Sequence, residues 1–215
     1  MRRPRFIAEQ ARDARGPLGR LIAFIMARET WGVNRDAMAA LDVGETDQVL
    51  DVGCGHGRSL ATLAALAPRG RVVGADPSEL MVEVAVRRNR ALVRSHRVDV
   101  AVASAEDLPF ADGAFDKAMC VHVVYFWRDL RPALLEIARV LKPGGRLVLL
   151  FRTDADTAAN STFPPEVYRF PSLEEMVGAL ATAGFAVDLP ADVHAKQHAG
   201  PILISAVKRS RTLVS

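Results

Sequence analysis

Cysteine is scarce: Cys54 and Cys120 are the only two in 215 residues. One possible pair is too few for a disulfide scaffold, so a reducing cytoplasm is the expected location. Long apolar runs are missing as well. Apolar runs such as LVLLF at 147–151 fall far short of the ~20 residues that span a bilayer. The opening MRRPRFIAEQARDARG has the charge of a signal peptide, but no apolar stretch follows it directly and no small-residue cleavage site is present. Aromatic residues make up only 6% of the chain, and neither sign of charge dominates: 28 Lys+Arg against 25 Asp+Glu give +3. Basic and acidic groups number 8 and 6 in residues 1–45, 14 and 12 in 46–150, and 6 and 7 in 151–215. No region therefore carries the concentrated positive field that nucleic-acid binding needs. Metal-ligand spacing is absent too, since His56, His194 and His198 make none with the cysteines. What remains, 50% hydrophobic and 25% charged, is ordinary for a soluble globular domain and excludes collagen-like, mucin-like and wholly disordered chains.

Residues 46–152 alternate short apolar runs with helical patterns. Val49–Val52 reads as a strand ending in glycines, and Arg58 to Leu66 as a helix stopped by Pro68. Arg71–Ala75 reads as a second strand, and Ser78 as the N-cap of a helix carrying Leu80, Met81, Val84 and Ala85. Val98–Val102 and Lys117–Val121 read as strands three and four, Leu134 to Leu141 as a helix ended by Pro143-Gly144-Gly145, and Arg146–Phe151 as strand five. This alternation predicts an α/β fold with a doubly wound, mostly parallel sheet and helices on both faces.

The flanks complete that plan. Leu18, Leu21, Ile22, Ile25 and Met26 form one helical stripe, expected to pack on the core, within an N-terminal segment of residues 1–45. Beyond a loop at 153–171, Ser172-x-x-Glu175 forms a capping box for a helix running to Gly184, and Phe185–Leu189 and Pro201–Val207 read as two more strands. Residues 153–215 thereby bring the sheet to seven strands. Two basic clusters, Arg87/Arg88/Arg90/Arg94/Arg97 and Lys208/Arg209/Arg211, read as a solvated helix face and a frayed tail.

The segment richest in chemistry is Val49-Leu50-Asp51-Val52-Gly53-Cys54-Gly55-His56-Gly57. Glycines at alternate positions turn the chain tightly and let a ligand lie against main chain, while the following helix aims unpaired N–H groups at it. Asp76 closes the second strand, where a carboxylate can accept hydrogen bonds from both hydroxyls of a ribose. The glycine spacing is G-x-G-x-G, with Arg58 where a dinucleotide fingerprint wants glycine. Asp51 would repel a pyrophosphate and attract an ammonium. The residues thus argue for a nucleoside ligand without phosphates.

The pattern resembles the class I S-adenosylmethionine-dependent methyltransferases, in the small-molecule group similar to the ubiquinone and menaquinone C-methyltransferases. The resemblance covers residues 46–152. Asp51–Gly57 looks like the first motif of that family, Gly74-Ala75-Asp76-Pro77-Ser78 the second, Ala103–Phe110 with Phe115-Asp116 the adenine-binding stretch, and Arg139–Leu147 the closing motif. It implies S-adenosylmethionine as cofactor, with S-adenosylhomocysteine as product. It also implies a set of cofactor contacts from Asp51, Gly53, Cys54, Gly55, Gly57, Asp76, Pro77, Met81, Ser104, Ala105, Glu106 and Val121. Ser104 stands where the family commonly has Asp, which weakens the expected bond to the adenine amine.

The implied chemistry is in-line methyl transfer, in which the enzyme mainly aligns donor and acceptor in a dry site. A base is required only for an acceptor that loses its proton late, and the candidates are His122 and Tyr125, after strand four. His122 could instead only shape the pocket. The N-terminal residues could form a lid, and Phe163, Tyr168 and Phe170 of the 153–171 loop could touch the acceptor. No Asp/Asn-Pro-Pro-aromatic tetrad of amino-methylating DNA enzymes is present, and Cys120 lacks the proline that precedes a cytosine-attacking cysteine. A small-molecule acceptor is therefore expected. RNA methylation and a non-catalytic adenosylmethionine-binding protein are the alternatives, and a homodimer is left open.

Overall fold

The computed structural model describes residues 3–29, 31–196, 198 and 200–210, with the side chains of 23–29 left aside. Three helices come first: α1 (Arg5–Arg12), α2 (Gly16–Glu29) and α3 (Trp31–Leu41). The alternating region follows as β1 (Gln48–Val52), α4 (Arg58–Leu66), β2 (Arg71–Asp76), α5 (Glu79–Arg88), α6 (Arg90–Arg94), β3 (Val98–Val102), β4 (Phe115–Val121), α7 (Leu130–Val140) and β5 (Leu141–Phe151). The chain closes with α8 (Thr157–Thr162), α9 (Leu173–Thr182), β6 (Phe185–Asp188), α10 (Val193–Lys196) and β7 (Ile202–Lys208).

The described strands form one seven-stranded sheet in the order β3-β2-β1-β4-β5-β7-β6. Neighbours from β3 through β5 are parallel, and β7 runs antiparallel to both β5 and β6. The doubly wound, mostly parallel sheet is the one the alternation predicts, and its antiparallel last strand is the one the methyltransferase resemblance implies. Side chains alternate across it. Val49, Met119 and Val148 pack under α3 and α4, whereas Leu50, Ala118 and Leu149 pack under α7 and α9. Strand order reverses between β1 and β4, which opens a crevice at their carboxyl ends.

Local signals act as the residue chemistry requires. The Ser78 hydroxyl accepts from Met81 N–H and starts α5, and the Ser172 hydroxyl accepts from Glu175 N–H and starts α9. Only that half of the capping box forms, because the Glu175 carboxylate pairs with Arg169 instead.

Four expectations need correction. Helix α7 begins at Leu130, where Asp129 caps Arg131 N–H, and ends at Val140; strand β5 runs straight through Pro143-Gly144-Gly145 across a register shift against β4. Strand β4 begins two residues before Lys117, because Phe115 pairs with Leu141 and is buried. In the apolar stripe of α2, Ile22 is buried but Leu18 and Leu21 are 45% and 56% exposed; the side chains of Ile25 and Met26 lie outside the described residues. The arginines at 87–97 do not share one face, since Arg87 pairs with Glu83 while Arg97 leaves the helix and reaches the end of α4. Arg211, in the other basic cluster, lies outside the described residues.

Arg97 donates to the carbonyls of Ala64, Ala67 and Gly70, capping α4 with a cation where the helix dipole favours one. Replacing Arg97 with Ala is expected to lower unfolding stability by about 2–3 kcal/mol, because charge-assisted bonds to three carbonyls go unmade. Urea denaturation reads the change directly. A loss indistinguishable from that of a Glu45→Ala surface control would remove the capping role.

Candidate functional site

Strands β1 and β2 end side by side, and each ends in or beside an acid. Asp51 pairs in register with Gly74, and Asp76 lies one residue past the Val52–Ala75 pair. Both carboxylates are buried, at 3% and 8% exposure. Between them the chain turns through Gly53 and Gly55, both at positive φ, and the N–H groups of Gly53 and Cys54 donate to Ala75 O. A Cβ built on Gly55 meets no atom within 4 Å, so that position is a backbone cradle facing open space.

Each carboxylate has a defined partner set. The Ser59 hydroxyl, in the first turn of α4, donates to Asp51 Oδ2. Burial pushes the Asp51 carboxyl up to about 7; the Ser59 bond opposes this and the Asp76 charge adds to it. Asp76 Oδ2 accepts from Gly55 N–H at 2.9 Å and Oδ1 from Ser78 N–H at 3.0 Å. Burial raises its pKa, and these two amide bonds counteract the rise. Each oxygen keeps a lone pair for a further donor.

These groups line one cavity of about 360 Å³, within the usual range for small-molecule sites. Its walls bring together Asp51, Gly53, Cys54, Gly55, Asp76, Pro77, Met81, Ser104, Ala105, Glu106, Val121 and His122, whose side chains or backbone come from the ends of β1, β2 and β4, the first turn of α5 and the 103–106 turn. Gln10, Arg12, Ala14, Trp31 and Asn34 roof it from α1, the α1–α2 turn and α3, and the Ser78 hydroxyl ties that roof down by donating to Ala14 O at 2.9 Å. The Arg58 guanidinium stacks over the Trp31 ring at 4.1 Å, at the mouth of α4.

Residues 50–149 match the protein family described as "Methyltransferase domain". The chain carries a class I methyltransferase domain. It is 33% identical over 165 residues to an O-methyltransferase, cnsE, of Penicillium expansum, covering 72% of this chain and 58% of that protein. It is 38% identical over 123 residues to demethylmenaquinone methyltransferase of Symbiobacterium thermophilum, covering 57% of this chain and 48% of that protein. The chain thus spans about half the length of these relatives. Among solved structures, geranyl diphosphate C-methyltransferase from Streptomyces coelicolor, in complex with Mg2+, geranyl diphosphate and S-adenosyl-L-homocysteine, shares the fold. Its TM-score is 0.68 at 20% identity, over 94% of this chain and 88% of that one.

Not every residue singled out in the sequence faces the cavity of this methyltransferase domain. Gly57 sits behind it: a Cβ there would come within 2.7 Å of Ala85, and its carbonyl accepts from Asn89 Nδ2. Its glycine serves the approach of α4 to α5. Tyr125 is buried beneath His122 and does not reach the wall, although its neighbours Phe126 and Trp127 do. Phe163, Tyr168 and Phe170 are also off the wall. They pack with Tyr125 and Phe126 in an aromatic cluster, Tyr125 and Phe170 having centroids 4.9 Å apart. The roof residues Gln10, Arg12, Trp31 and Asn34 were missed, because no motif or periodicity marks a side chain that meets the site only through tertiary packing. Ser59 had a signal, a hydroxyl in the first turn after the glycines, within reach of the Asp51 strand end. Among the described residues no cluster of His, Cys, Asp and Glu is arranged to hold a metal ion. None of the described helices is long and apolar enough to cross a membrane.

Proposed function

We propose that this chain transfers the methyl group of S-adenosylmethionine to a small molecule. One observation carries the proposal: two buried carboxylates, Asp51 and Asp76, flank a glycine turn at the ends of adjacent parallel strands and open into the same 360 Å³ cavity. The donor set fits the cofactor. The free lone pairs of Asp76 suit ribose hydroxyls, Asp51 suits the ammonium of the methionine moiety, and the bare backbone at Gly55 makes room where a side chain would intrude. Pro77 and Met81 of the wall would bound the adenine on one side, and Ser104, Ala105 and Glu106 would take its edge. When bound, the cofactor supplies an electrophilic methyl on a cationic sulfur. The chain's own task is to orient it, to exclude water beneath the residue 1–45 lid, and to present the acceptor beside Val121 and His122.

The acceptor is small, and the arginine distribution supports that reading. Arg97 is engaged by three carbonyls and Arg87 by Glu83, so these two add nothing to a cationic track for RNA. Both cysteines are buried free thiols, as suits a cytoplasmic enzyme. A homodimer is compatible with this reading.

Thermal denaturation with three ligands tests it. S-adenosylmethionine and S-adenosylhomocysteine are expected to raise the melting temperature by mass action, and NAD to leave it unchanged. A shift with NAD alone would overturn the cofactor assignment, and a shift with the first two followed by labelled-methyl transfer into a metabolite extract would identify the acceptor.

A further inference from the structure

His122 breaks the rules of its strand. It sits at φ +58, a left-handed conformation that non-glycine residues rarely adopt, held by the bond from its N–H to Leu150 O at 2.9 Å. That twist comes directly after β4 ends and sets the ring on the cavity wall. Its Nδ1 lies 2.9 Å from the Tyr125 hydroxyl, and the same hydroxyl receives Arg152 N–H at 2.7 Å.

The direction of this chain of bonds is fixed by what each group can do. A backbone N–H only donates, so the Tyr125 oxygen is the acceptor of the Arg152 bond. The phenol proton then needs an acceptor in a buried aromatic cluster, and Nδ1 is the one within reach. Were Nδ1 protonated, the phenol would accept twice and its own proton would be stranded in an apolar surround. Nδ1 therefore accepts, and the ring carries its proton on Nε2. Among the described residues no fully buried side-chain nitrogen or oxygen lacks a partner, and Nε2 has none, so it stands open to the cavity.

Resting on the methyltransferase reading, we propose that His122 acts through Nε2–H as a fixed hydrogen-bond donor to an oxyanion of the methyl acceptor, an enolate or phenolate, and not as a base. Tyr125 and the Arg152 amide are positioning residues that lock its tautomer. The rest of the wall agrees. Burial, with the Arg152 charge, pushes the His122 pKa down to about 4, so the ring is neutral at pH 7. His56 is held at about 4 by burial and by Arg88 and Arg58, and its Nδ1 accepts from Arg58 N–H. Asp51 is engaged by Ser59, Asp76 by two amides, and Glu106 lies exposed on the rim. Arg12 and Arg58 are the cationic residues of this wall, opposite in sign to the acids Asp51, Asp76 and Glu106. In the transfer, an electron pair of the acceptor forms the bond to the methyl carbon while sulfur keeps the pair of the bond that breaks. An anionic acceptor thus ends neutral, with no proton for the protein to take.

The test reads the tautomer itself. Long-range imidazole 1H–15N spectra of the full chain at pH 7, with S-adenosylhomocysteine added, are expected to show His122 protonated on Nε2 alone. In Tyr125→Phe that preference should give way to a mixture of tautomers. A proton on Nδ1, or an imidazolium, would overturn the proposal, as would a tautomer unchanged by Tyr125→Phe. A second measurement uses 4-nitrophenol, followed by absorbance one pH unit below its own pKa. It is expected to bind as the phenolate, about tenfold more weakly in His122→Ala. Binding as the neutral phenol, no binding, or indifference to His122→Ala counts against the donor role. Absence of any thermal shift with S-adenosylmethionine is a different failure, that of the methyltransferase reading, and the imidazole spectrum is independent of it.

Discussion

Asp76→Ala is expected to weaken S-adenosylmethionine binding at least about 100-fold, with S-adenosylhomocysteine affected equally. Two losses combine. The ribose hydroxyls lose a charged acceptor, and hydrogen bonds to charged groups contribute about 1.5–3 kcal/mol each. The Gly55 N–H also loses the oxygen that pins it at 2.9 Å, so the glycine turn that receives the cofactor is no longer held in place. A solvated carboxylate would allow a milder effect. Asp76, however, is 8% exposed and already oriented by Ser78 and Gly55, so its lone pairs are preorganised and little ordering cost is left for the ligand to meet. Isothermal titration decides the matter, with circular dichroism to confirm folding. A dissociation constant within threefold of wild type would mean that the ribose lies elsewhere and that Asp76 only braces the turn.

The residues that make this argument possible were legible in the sequence because main-chain geometry and chemistry coincide there. An acid at a strand end, glycines at alternate positions and a helix start form a local constellation, and locality is what a single sequence displays. The doubly wound, mostly parallel sheet was legible for a similar reason, since βα alternation admits few unknotted, right-handed arrangements. What stayed hidden depends on distant partners. Arg97 looked like one more arginine on a helix face because nothing local announces that Ala64, Ala67 and Gly70 present their carbonyls to it. Tyr125 looked like a site residue from its position after β4. The 3₁₀ turn over Val124–Phe126 rotates it into the aromatic cluster instead, and leaves Phe126 on the wall. Pro143-Gly144-Gly145 looked like a boundary, yet the strand continues through it, and at Gly145 the missing side chain leaves room where a Cβ would come within 2.9 Å of Lys142 O and 3.1 Å of Asp116 O.

Asp51 makes the second large effect one of pH. With its carboxyl raised to about 7 in the folded chain and near 3.8 in the unfolded one, the native state binds the extra proton between those values. The contribution of Asp51 to the stability of the ligand-free chain therefore falls as pH rises from about 4 to 7, the reverse of a salt-bridged aspartate, whereas the buried neutral His56 and His122 contribute in the opposite sense between about 4 and 6.5. An ammonium placed beside Asp51 favours the carboxylate, so binding S-adenosylmethionine below pH 7 must expel that proton. Between pH 5.5 and 7.5 the ionised fraction grows about 25-fold, and affinity is expected to grow with it. His56 and His122, both held near 4, stay neutral across this window and contribute no slope. Asp76 also has a raised pKa, so adenosine, which carries the ribose but no ammonium, is the control that isolates its share. Calorimetric titration across the window should show a steep dependence for S-adenosylmethionine, a shallow one for adenosine, and a flat, weak profile for S-adenosylmethionine with Asp51→Asn. Equal slopes for the two ligands would place the ammonium away from Asp51. The Ser59 hydroxyl, which donates to the carboxylate, would then be left as the chief reason that an acid is tolerated at the buried end of β1.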